Sequence, residues 1–305
     1  MRWDDFRRSD NIDDRTDGSG GGSGFPLGGG VKLGGGALVV VVIASLIFGV
    51  NPLEMIGMIE GGGPVATSSS QTQAPPGYGP QNAPAPGPSR PSTAQKDPMR
   101  DHVAAVLGDT EDVWRAVFQA MGARYEPPRL ALFHDRTESR CGHASAASGP
   151  FYCSADREVY LDTAFFAQLS QRFGAPGDFA QAYVIAHEVG HHVQNLTGTM
   201  QKFEQQMQRL DARGRNALSV NLELQADCYA GVWGFFAQKR NKLEPGDVEQ
   251  GLRAAAAVGD DEIQKHTQGV VRPESFTHGS AEQRVRWFKT GLASGDMRSC
   301  NTFGN

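Results

Sequence analysis

Residues 186–194 read AHEVGHHVQ, three histidines and one glutamate inside a run that otherwise looks like buried helix. On a helix, residues four apart lie about 40° from one another around the axis. His187 and His191 therefore project from one face, one turn apart, and both imidazoles can reach a single ion at about 2.0–2.1 Å. His192 sits about 140° from His187 and cannot join them, so it is expected to pack or hydrogen-bond elsewhere. Glu188 falls between the two ligands in projection, close to the ion but angled away. A carboxylate there can take a proton from a water that the ion polarises. Gly190, poor for a helix, is expected to leave space beside the site.

The pattern is HExxH, which binds zinc through its two histidines and supplies its glutamate as a base. A catalytic zinc also needs a third protein ligand and an open position. The metzincin spacing would put glycine and histidine where this chain has Gln194 and Thr197, so that option fails. Two downstream carboxylates compete. Glu204 lies in FEQQMQ, with the look of a solvated face, whereas Glu223 opens the otherwise apolar ELQADCYAGVW. A carboxylate is costly to bury there without a cation, so Glu223 is the expected third ligand. Asp227, one turn on, is placed to hydrogen-bond the outer nitrogen of a ligand histidine. The bland alternative for this pair is a helix-terminal charge and a surface acid.

HEVGHH followed by ELQAD resembles the gluzincin pattern, HExxH plus ExxxD. AYVIAHEVGHHVQ, ELQADCYAGVW and FTHGSAEQRVRWF are similar to the wording of the bacterial family called putative neutral zinc metallopeptidases. The resemblance runs from MRWDDFRRSD through the apolar segment and across nearly all of 101–305, sparing only the linker. It implies a zincin-like endopeptidase fold, Zn2+ as cofactor and an inner-membrane anchor. THGSAEQR (277–284) also resembles the THP…R element of membrane-linked zinc peptidases that share this motif order. By that likeness His278 lies near the cleft and donates to the tetrahedral oxyanion, while Arg284 braces the site. Gly279 stands where that element has proline. A second reading, compatible with the first, has Ser280 capping the helix AEQRVRWFKTG with Glu282 in its first turn. His102, His134, His143 and His266 have no partners at ligand spacing and read as structural or exposed.

These residues need elements to hold them. Residues 101–122 carry apolar side chains at helical spacing, and RLALFH and EVYLD cluster theirs like strands. TAFFAQLSQRFG reads as a helix ended by Gly174, followed by a helix capped by Asp178 and stopping near Gly198. A helical stretch from Met200 is interrupted around Gly214 and resumes as SVNLELQADCYAGVWGFFAQKR. EPGDVEQGLRAAAAVGDDEIQ reads as one further helix, opened by Pro245 and Asp247. The fold class is α+β, a helix-rich domain with a small early sheet.

The 305 residues are 21% charged with a formal net charge of −5, which argues against a nucleic-acid partner. Residues 1–36 are charged and then glycine-rich, with nothing to build a core. Residues 37–59 carry one charge, Glu54, and an unbroken apolar run from Ala37 to Val50. They read as an uncleaved single-pass membrane anchor, a cleaved signal peptide being the competitor. Arg2, Arg7, Arg8, Arg15 and Lys32 precede the span and none follows until Arg90, which puts the N-terminus in the cytoplasm and the bulk outside. Residues 60–100 are a Pro/Gly/Ser-rich tether expected to be disordered, and 101–305 form one domain. All four cysteines lie there. Beyond an export segment they favour bridges Cys141–Cys153 and Cys228–Cys300, with buried free thiols as the alternative. The function expected is a membrane-anchored zinc metallopeptidase acting on peptide or protein substrates. The other reading is a zinc-stabilised, non-hydrolytic envelope protein that binds peptides or other envelope components.

Overall fold

The computed structural model describes residues 1–16, 97–145 and 149–304. The expected anchor at 37–59 and nearly all of the expected tether lie outside these residues. Among the described residues no helix is long and apolar enough to cross a membrane.

Strands β1 (Ile12–Asp14), β2 (Arg129–Phe133), β6 (Glu158–Asp162) and β5 (Phe151–Cys153) form a sheet in the order β1-β2-β6-β5. The first three run parallel, and β5 returns antiparallel along β6. Strands β3 (Arg136–Ser139) and β4 (Gly142–Ser145) make a separate hairpin. Alternation along β2 covers both faces. Leu130 and Leu132 join the main core, whereas Ala131 and Phe133 pack with Phe151 and Tyr160 on the other side.

Helix α1 (Pro98–Ala120) lies between β1 and β2 in sequence, and α2 (Phe165–Gln171) follows β6. Helix α3 (Asp178–Leu196) carries HExxH, and α4 (Thr199–Met207) follows it. Then come α5 (Ala212–Lys239), α6 (Asp247–Ala257), α7 (Asp260–Gln268) and α8 (Ala281–Ser294). Helices α5 and α8 cross where both are bare. A Cβ on Gly231 would stand 2.1 Å from the Phe288 carbonyl oxygen, and one on Gly291 would stand 1.9 Å from that of Cys228. That close approach, in the second half of α8, presses the helix onto α5 just past Asp227.

Several expectations change. Helix α1 begins at Pro98 with Asp97 accepting from the Met99 N–H at 2.9 Å, so the domain starts before residue 101. Residues 1–16 are not a separate tail, since β1 is the sheet's first strand and Phe6 lies in the main core. Asp178 is the first residue of α3 rather than its cap, and accepts instead from the Trp3 indole at 3.0 Å. The break before α5 falls at 208–211, where Asp211 caps the helix by accepting from the Gly214 N–H at 2.8 Å. The stretch opened at Pro245 is two helices, parted at Val258 and Gly259.

Both disulfides are present, Cys141–Cys153 closing 12 positions and Cys228–Cys300 closing 72. The second joins the chain's end to α5. In the chain-entropy picture the shorter loop stabilises by about 3 kcal/mol and the longer by about 4.4 kcal/mol. Peptide mapping without reductant is expected to recover both links. Cys300→Ser should lower the melting temperature more than Cys141→Ser, and the reverse order would mean that native strain or packing, not loop closure, sets the effect.

Candidate metal centre

Helix α3 is apolar nearly all round because it runs through the centre of the molecule, and His187, Glu188 and His191 are each less than 9% exposed. Gly190 does not leave open space. A Cβ there would stand 2.9 Å from the Ala226 carbonyl oxygen, so the glycine lets α3 press onto α5. That contact brings Glu223 to the two histidines. His187 Nε2 lies 3.2 Å from one Glu223 oxygen and His191 Nε2 3.5 Å from the other.

These separations match a metal site. Ligands about 2.05 Å from a tetrahedral ion stand about 3.3 Å apart. The three ligand atoms lie within 4.8 Å of one another, and all three residues are buried. The outer imidazole nitrogens are already engaged. Asp227 accepts from His187 Nδ1 at 2.9 Å, and the Gln194 side-chain oxygen accepts from His191 Nδ1 at 2.8 Å. Both bonds fix the tautomer that leaves the Nε2 lone pair facing Glu223, the arrangement a ligand histidine needs. Gln194 is itself anchored, donating to the Leu222 carbonyl at 2.7 Å.

The electrostatics favour a cation. Burial penalises a charged His187, yet Asp227 and Glu223 more than offset this and raise its pKa to about 10. Burial would raise Glu223, but His191 and His187 hold it well below the usual carboxylate range. Glu188 is different. Burial pushes its pKa up, with His187 and His191 opposing, which moves a candidate base toward neutral pH.

Asp227 has no exposed surface and serves three groups. Besides His187 it accepts from Tyr183 OH and, on both oxygens at 2.9 Å, from Arg284 Nε and Nη2. Arg284 also donates to the Val258 carbonyl at 3.1 Å. Sequence reasoning found Asp227 and Arg284 but not Tyr183, whose type and helical register read as core.

His278 faces the same cleft as His187, Glu188, His191 and Glu223. Its Nδ1 lies 3.1 Å from Asp260 Oδ1, and its Nε2 is buried without a partner among the described residues. Asp260 also takes the backbone N–H groups of Thr277, His278 and Gly279 on its other oxygen, at 2.7, 2.7 and 3.0 Å. Gly279 has φ +92°, which proline cannot adopt, so the departure from THP is a real change of backbone path. Ser280 and Gln283 form a capping box at the start of α8, so the capping reading holds.

The remaining residues fall apart from the centre. His192 pairs with Tyr152 OH at 2.9 Å and the Glu126 carbonyl at 2.7 Å, as its angle requires. Glu204 meets Ser154 Oγ at 3.3 Å instead of the histidines. His134, His143 and His266 are exposed, and His102 packs edge-on against Trp3.

The model of the family described as "Putative neutral zinc metallopeptidase" matches residues 1–303. Two Escherichia coli proteins (strains K12 and O6:H1), each called Uncharacterized protein YpfJ, are 43% identical over 308 residues, covering 100% of this chain and 99% of their own. Uncharacterized protein Rv2575 of Mycobacterium tuberculosis is 43% identical over 212 residues, 66% of this chain and 69% of its own. No solved structure gives a significant match.

Purified protein is expected to carry about one zinc per chain, measured by elemental analysis. Glu223→Ala should lose most of it and Glu204→Ala none. Asp227→Asn should weaken metal affinity by about 10–100-fold. An empty Glu204→Ala beside a loaded Glu223→Ala would move the third ligand.

Proposed function

The chain belongs to the neutral zinc metallopeptidase family, whose model spans it almost end to end, and on that footing we propose that its cleft hydrolyses peptide bonds with Glu188 as general base. The observation that carries the reading is convergence. Glu188, the three candidate ligands and His278 all line one cleft, and the buried Nε2 of His278 has no partner among the described residues. Zinc held by His187, His191 and Glu223 would supply Lewis-acid polarisation and lower the pKa of a nearby water toward about 7.

The chain's own residues do the rest. Glu188 takes the proton of the attacking water and returns it to the leaving amine. Its raised pKa suits it to both halves of that exchange. Asp227 and Gln194 keep the two imidazoles in register. Asp260 accepts the Nδ1 proton of His278, so Nε2 carries a proton only when the ring is charged. Burial opposes that charge, but Asp260 outweighs it and raises the His278 pKa. The charged ring then presents an N–H to the oxyanion of the tetrahedral intermediate, which strengthens as charge develops. Arg284 holds Asp227 through both arms of its fork and so supports the centre.

Phe151, Phe165, Phe173, Val184, Met200 and Phe203 give the cleft apolar walls. A polypeptide with a bulky apolar residue beside the scissile bond fits such a lining.

Glu188→Gln should keep its zinc while turnover of an unstructured protein falls by a factor on the order of 10² or more. Zinc-loaded wild-type protein that cleaves nothing would instead favour the non-hydrolytic, peptide-binding reading. His278→Ala should lower kcat by about 10²–10³-fold with KM and zinc content nearly unchanged. Ser280→Ala should destabilise by about 1 kcal/mol and leave kcat alone. An unchanged kcat in His278→Ala would reduce that segment to a helix cap.

A further inference from the structure

The first sixteen residues are built into the body that carries the metal centre. Strand β1 pairs with β2 in register Ile12↔Leu130 to Asp14↔Leu132. On the other side the strap lies along α1, where Ser9 N–H donates to the Ala104 carbonyl at 2.9 Å. A Cβ on Gly108 would stand 2.2 Å from the Arg7 carbonyl oxygen, so α1 is bare where the strap crosses it. Glu111, a carboxylate only 2% exposed on α1, accepts from Ser9 at 2.5 Å, Arg7 at 2.6 Å and Asn11 at 2.8 Å. Phe6 is in the main core, and Trp3 binds Asp178 at the head of the HExxH helix.

These contacts bear on topology. A segment that crosses a bilayer an odd number of times leaves its flanks on opposite sides of a hydrocarbon layer about 30 Å thick. Here the flanks, residues 1–16 and residues 97–304, hydrogen-bond directly. We propose that the two parts occupy one compartment, on the same face of any membrane the chain meets. This replaces the single crossing expected from the sequence.

The signal behind that expectation has another origin. Of the five basic residues that precede the apolar segment, four are used by the fold. Arg2 donates to the Asn241 carbonyl, and Arg7 pairs with Glu111 and Asp112. Arg8 pairs with Asp101, and Arg15 with Asp13 and Glu158. Their positions are explained by partners in the body, which leaves Lys32 as the remaining orienting charge. The two disulfides belong to an oxidising compartment, so the strap is exported together with the domain.

The test is made on the full chain in its native membrane. Asp10 in the strap and Lys289 on α8 are both exposed, and each is replaced by cysteine in a separate variant. A membrane-impermeant maleimide is applied to right-side-out and to inverted vesicles. Both variants should label in the same preparation and be protected in the other. Recovery of the chain wholly outside the membrane fraction also supports the proposal. Labelling of the two positions from opposite faces overturns it. The packing itself has a separate check in the purified full chain, where Arg7→Glu sets a carboxylate against Glu111 and should lower the melting temperature by several degrees. A melting temperature unchanged in Arg7→Glu would overturn the docking on which the inference stands.

Discussion

A single carboxylate with no exposed surface holds three helices together at the centre of this molecule. Asp227 projects from α5, orients an imidazole on α3 and receives both arms of an arginine fork from α8. A buried charge is tolerated only when its partners satisfy it, and removing one partner typically costs about 3–5 kcal/mol. The crossings that bring the helices close enough are the bare contacts at Gly190 and at Gly231 with Gly291. Packing and charge therefore specify the same arrangement, and neither could be changed alone without disturbing the other.

That arrangement separates two tasks by distance from the candidate ligands. His187 and His191 are each fixed through the outer nitrogen, one by a carboxylate and one by a neutral amide. The difference grades basicity, because a carboxylate makes its histidine a stronger donor than an amide does. Across the cleft, His278 is fixed by Asp260, which also gathers three consecutive backbone N–H groups and so shapes the loop as well as the ring. Each buried histidine of the cleft thus has one nitrogen committed to the scaffold and one turned inward.

Much of the centre was legible in the sequence because its ligands are close in the chain or share a helix face. His187, Glu188 and His191 follow from one helical turn, and Glu223 with Asp227 from another. Gln194 escaped notice because it was weighed only as the missing glycine of a different motif. Asp260 escaped because nothing local links it to residues 277–279, which it meets only after α7 has turned back. The strap escaped for a related reason. Its alternating charges and few apolar residues look like solvated tail, and their partners, Glu111, Asp101 and Asp178, lie about a hundred positions or more away. Helix breaks were misplaced by a few residues because glycine was read as an interruption where Asp211 supplies the real start of α5.

The parallel pairing of β1 with β2 also dictates an order of events. Ile12 and Leu130 are partners although 118 positions separate them (130 − 12). Residues 12–14 are synthesised well before the strand they pair with and must wait for it, and non-local pairing of this kind is slow. Until the strap arrives, β2 is an open edge whose backbone N–H and C=O groups have no partner on that side, and such edges invite pairing with other chains. Docking of the N-terminus is therefore the step that closes the sheet, and a chain stalled before it would be the aggregation-prone species.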